Sequence, residues 1–97
     1  MDIKMLGMFA FSQAGHDKDS LYIIIREEDE YVYLADGKNK SVENPKRKNK
    51  KHIQVMKKNA DDHIIEVLKS GGRVGDEEVK RAIKLVLKEY QEKQFSR

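Results

Sequence analysis

The sequence predicts an α+β fold: a small five-stranded β-barrel or sandwich over residues 1–57, then a helical extension over 58–97 with helices at about 61–69 and 76–93. Three observations carry this. From Met5 to Val55 the apolar residues alternate with period two or form short runs, with turn residues every few positions. After Met56 the apolar spacing changes to the three-and-four pattern of a helix. A chain of 97 residues has room for one small domain with an appendage, which excludes a multi-domain enzyme.

Phe9 and Phe11 alternate with Met8, Ala10 and Ser12, as in a strand with two distinct faces. Residues 14–20 form a polar turn around Gly15. The run 21–25, Leu-Tyr-Ile-Ile-Ile, is β-branched and aromatic, which predicts a strand buried on both faces for part of its length. An acidic turn follows at 26–30. Residues 31–35 alternate again and lead into Asp36-Gly37, a strong hairpin signal because a type I′ turn needs positive φ at both central residues. Residues 38–42 are then the expected returning strand, and Asn44-Pro45 breaks the pairing because proline has no N–H to give. The last strand is expected at 52–56, with Ile53 and Val55 on one face.

Asp61 or Asp62 can cap the first helix, whose apolar positions are Ile64, Ile65, Val67 and Leu68; Ser70-Gly71-Gly72 stops it. Asp76 is the expected cap of the second. Val79, Ala82, Ile83, Val86, Leu87 and Tyr90 make one apolar stripe along it, and Glu77 and Arg81 sit at i,i+4 on the polar side. That stripe needs a cover, supplied either by the rest of the chain or by a partner.

Charge is distributed unevenly. Residues 1–34 have three Lys/Arg against seven acids, residues 35–58 have nine against two, and residues 59–97 have eight of each. The overall +3 is therefore a local basic segment, densest at 45–51 (PKRKNKK), and a polyanion would respond to that segment more than to the average. A bare basic run is also what a solvated loop looks like.

The usual constellations of catalysis are missing from the sequence. Cysteine is absent, which removes disulfides, thiolate nucleophiles and Cys-based zinc sites and suits a reducing compartment. His16, His52 and His63 have no metal-ligand spacing, no serine stands in GxSxG, and Gly71-Gly72-Arg73-Val74-Gly75 lacks the ending of a phosphate loop. No apolar run reaches the roughly 20 residues of a membrane span, and the N-terminus lacks a signal-peptide core. The expectations are a non-enzymatic, cytoplasmic protein with no cofactor, no metal, no membrane and no small-molecule substrate.

Two segments carry a resemblance. GMFAFSQAGHDKDSLYIII resembles the KOW element, a strand and a glycine-bearing turn followed by an apolar strand; YVYLADGKNKSVENPKRKNKKHIQ is similar to the hairpin and basic segment of short bacterial KOW-domain RNA-binding proteins, which themselves resemble an archaeal and eukaryotic large-subunit ribosomal protein. Where the family pattern has a second glycine in the turn, this chain has Asp19. The resemblance implies an SH3-like five-stranded barrel that binds RNA, ribosomal or otherwise structured, with ribosomal proteins as possible neighbours. It points to contacts from Lys38, Lys40, Lys46, Arg47, Lys48, Lys50 and Lys51, with His16 and Lys18 from the turn. Among Tyr22, Tyr31 and Tyr33, which alternate on strands, at least one, with Tyr33 among the expected contacts, can stack on an unpaired base; the other reading is core or hairpin packing. No group is placed to read base edges, so weak sequence preference is expected. The alternative is a protein-interaction module that uses the barrel edge or the C-terminal amphipathic helix.

Overall fold

The computed structural model describes residues 5–12, 21–56 and 61–95, with side chains described as far as residue 89 in the last helix. In chain order the elements are β1 (Phe9–Ser12), β2 (Leu21–Glu27), β3 (Tyr31–Ala35), β4 (Lys46–Asn49), a 3-10 turn (Lys50–His52), β5 (Ile53–Val55), α1 (Asp62–Lys69) and α2 (Asp76–Phe95). The strands form one antiparallel sheet in the order β4-β3-β2-β1-β5, so the last strand returns beside the first. The fold is α+β. The turn with His16 and Lys18 lies outside the described residues.

Each face of the sheet has its own core. Four successive buried residues, Leu21, Tyr22, Ile23 and Ile24, send side chains alternately to the two sides, which explains the unbroken apolar run of β2. On one side Phe9, Leu21, Ile23 and Ala35 pack with Ile64 of α1, Val74 of the linker and Val79, Ala82, Ile83 and Val86 of α2. The apolar stripe of α2 is thus covered within the protein from Val79 to Val86. Fully burying an Ile or Val of this kind contributes about 1.5–3 kcal/mol. On the other side Ala10, Tyr22, Ile24, Val32, Leu34 and Ile53 form a second cluster, joined among the described residues only by Met5 and Val55. Among the described residues that cluster is made of strand residues packing on one another.

Four expectations are corrected. The hydrogen-bonded ladder of the sheet is open, with β4 and β5 as its two ends, so the expected five-stranded barrel is not closed. The expected returning strand at 38–42 does not form, because the backbone donors it would need are already engaged. Asp36 Oδ1 accepts the N–H groups of Lys38 at 2.8 Å and Lys40 at 2.9 Å, and Val42 donates to Asp76 Oδ1 at 2.8 Å. The partner of β3 is instead the basic run itself, which begins directly after Pro45. Asp76 is also not the cap of α2: Gly75 takes that place, its carbonyl accepting from Val79 N–H and its own N–H donating to Glu78 Oε1 at 3.3 Å. Glu77, finally, pairs with Lys80 at 3.1 Å in place of Arg81.

The first helix follows its sequence signals closely. Asp61 caps it, its carboxylate accepting from His63 N–H at 2.9 Å and Ile64 N–H at 3.4 Å. A Schellman pair ends it, Gly72 N–H to Val67 O and Gly71 N–H to Leu68 O, with Gly71 at φ +82°.

Candidate nucleic-acid interface

The basic run is a strand at the edge of the sheet. Cross-strand register sets Lys46 against Leu34, Arg47 against Tyr33, Lys48 against Val32 and Asn49 against Tyr31. Strand alternation therefore puts Lys46 and Lys48 on one face and Arg47 and Asn49 on the other. Partial burial lowers the pKa of Lys46 below the ordinary lysine value, and the charge and hydrogen bonding of Lys48 lower it further. Two ammonium groups held this close attract an anion. Cationic side chains on an edge strand also discourage pairing with another chain's strand.

Arginine–aromatic stacking organises the opposite face. The Arg47 guanidinium carbon lies 3.9 Å from the centroid of the Tyr31 ring, and that of Arg26 lies 5.2 Å from the centroid of Tyr33. Tyr31 and Tyr33 are two residues apart on β3 and share a face, while Val32 between them is in the core. Tyr33 OH donates to Glu28 Oε1 at 3.3 Å, and Glu28 makes a loose ion pair with Arg26 at 3.7 Å. Tyr22, in contrast, is a core residue.

The remaining candidates fall into separate places. Lys50 is turned inward, its Nζ 2.9 Å from Glu27 Oε2; the Glu27 carboxylate is nearly buried, and its other oxygen accepts Met5 N–H at 2.8 Å. Lys50 therefore anchors the N-terminal segment to the 3-10 turn, and its charge is already matched. Lys51 and His52 are exposed at the same turn, with Lys51 N–H held by Asn49 Oδ1 at 2.9 Å. Lys40 is half-buried in the loop that Asp36 organises. Lys38 lies across a second groove, of about 750 Å³, facing Lys80, Arg81, Lys84 and Glu77 of α2.

The structure thus sets Lys46 and Lys48 on one face of the edge strand and Arg47 on the other beside Tyr33, leaves Lys51 exposed in the following 3-10 turn, and sets Lys38 apart with α2. Sequence reading missed Arg26, Arg73 and the cations of α2. For α2 a signal existed: Lys80, Lys84 and Lys88 recur every four residues along one side of the helix. For Arg26 and Arg73 there was none, since each is a lone arginine outside the basic run. A groove of about 500 Å³ opens beside Tyr33, walled by Arg26, the 42–45 loop and the α1–α2 linker at Arg73.

Among the described residues no group of three or more His, Asp or Glu side chains is placed to hold a metal ion, and no helix is long and apolar enough to cross a membrane. Comparison with models of known protein families and with curated protein sequences finds no match for this chain.

Proposed function

We propose that this is a non-enzymatic, cytoplasmic RNA-binding protein of the KOW type with an SH3-like sheet, which binds ribosomal or other structured RNA along β4 with weak sequence preference. An antiparallel sheet of five strands whose fifth strand returns beside the first supports the SH3-like reading. The observation that carries the functional reading is the state of the basic run. Lys46, Arg47 and Lys48 are fixed in extended backbone at a sheet edge, Lys46 and Lys48 crowd each other, and Arg47 is stacked on Tyr31. A phosphate oxygen between the two lysines relieves their repulsion, and a guanidinium already oriented on a ring loses little freedom when it contacts a second phosphate.

Base edges meet no ordered row of donors and acceptors on this strand, so recognition rests on backbone charge and RNA shape. Burial of Val79, Ala82, Ile83 and Val86 within the protein favours this reading over the alternative, a protein-docking module that uses the barrel edge or α2. The test is ultraviolet crosslinking of a tagged copy in cells, with the bound RNA sequenced and the crosslinked peptides mapped. Ribosomal RNA joined to peptides spanning 46–51, and lost in the K46E/R47E/K48E variant, is the expected result. Protein partners recovered without RNA would overturn the proposal.

A further inference from the structure

The groove beside Tyr33 is unlike the rest of the basic surface. Its lining combines a half-buried aromatic ring with apolar side chains of Ile25, Val42 and Leu68, two arginines at the rim, Arg26 and Arg73, and the exposed polar side chains of Glu43 and Asn44. Phosphates alone need no aromatic ring and no apolar wall. An unpaired nucleobase needs both, together with polar groups at its edge and cations near its flanking phosphates. At about 500 Å³ the space suits one nucleotide.

We infer that this groove is a pocket for a single extruded nucleobase of the RNA that β4 holds, the base stacking on Tyr33 while Arg26 and Arg73 contact the phosphates on either side. The inference rests on the RNA-binding reading and adds a site to it. Arg47 is the direct cross-strand neighbour of Tyr33, so a backbone lying along β4 passes the mouth of the groove. Glu43 offers acceptors and Asn44 offers both a donor and an acceptor, so all four bases find a partner and sequence preference stays weak. Arg73 lies in the linker between α1 and α2, which makes the helical extension part of the RNA site as well as a cover for the sheet.

The experiment uses the full chain and two fluorescently labelled RNA hairpins, one fully paired and one identical but for a single bulged nucleotide. Affinities are measured for the wild type and for Tyr33→Phe, Tyr33→Ala, Arg73→Gln and K46E/R47E/K48E. The wild type is expected to prefer the bulged hairpin by roughly tenfold, the scale of one base–aromatic stack. Tyr33→Phe retains that preference, Tyr33→Ala erases it, and Arg73→Gln reduces it. The triple variant loses both hairpins. Equal wild-type affinity for the two hairpins, or a preference that survives Tyr33→Ala, overturns the base pocket and leaves β4 binding intact. Undiminished binding by the triple variant overturns the β4 reading itself. A fluorescent adenine analogue at the bulge gives a second readout: its emission is quenched by wild type and by Tyr33→Phe, and unquenched emission with Tyr33→Ala shows the stack is gone.

Discussion

Two residues show how the local chemistry of this protein divides between folding and binding. Gly37 has φ +79°, and a Cβ built on it would stand 2.5 Å from the backbone oxygen of Asp76 and 2.7 Å from the Lys80 side chain. Left-handed backbone and close approach of α2 act together, so Gly37→Ala is expected to cost about 2–4 kcal/mol and to lower Tm by at least about 8 °C, as measured by thermal unfolding. Lys46 is the opposite case, a residue whose environment opposes its own charge. Its pKa in the folded state is lowered below the value of 10.5 it has when free. Between those two values the unfolded chain binds the proton more firmly, so stability rises with pH across that window. Lys46→Gln is expected to remove this alkaline rise and to change stability at neutral pH by no more than about 0.5 kcal/mol, while weakening RNA binding. Denaturant titrations of both proteins across alkaline pH check it; parallel curves would contradict it.

At the scale of elements, the contact between Asp76 and Val42 is what fastens the 36–45 loop to the start of α2. Asp76→Ala is expected to cost about 1.5–3 kcal/mol and to speed hydrogen exchange of the Val42 amide, whereas Asp76→Asn keeps an acceptor and most of the protection. Unchanged exchange in the alanine variant would show that the bond does not hold the loop. This contact also explains where sequence reading stopped. The helices were legible because their signals are local: Asp61 as cap, Gly71-Gly72 as stop, and apolar residues at helical spacing in between. The missing strand at 38–42 was not legible, because its donors go to Asp36 nearby and to Asp76 far along the chain. The strand character of Lys46–Asn49 was hidden for a related reason: four polar residues show no apolar alternation, and they pair only because Leu34 and Val32 need cover from the next strand.

For the whole molecule, one core joins the sheet to both helices. Ile64, Val74, Val79, Ile83 and Val86 all pack on the sheet, a contribution on the order of 7–15 kcal/mol, comparable to the entire stability of a small domain, about 5–15 kcal/mol. A fragment ending at residue 57 is therefore expected to be unfolded by circular dichroism and by the narrow spread of its amide resonances; a dispersed spectrum would contradict this. The apolar period changes at that point, and residues from both sides of it share this core. The overall charge pattern was legible from the start; within the 45–51 run Lys50 is matched to Glu27, and the proposed phosphate contacts are Lys46, Arg47, Lys48 and Lys51. The most direct test of the central claim is the salt dependence of binding to a structured RNA. Four neutralised phosphates predict that log K falls against log[salt] with a slope of about −2.8 on single strands or −3.6 on duplex, collapsing toward zero in K46E/R47E/K48E. A flat response in the wild type, or an equally steep one in the variant, would contradict it.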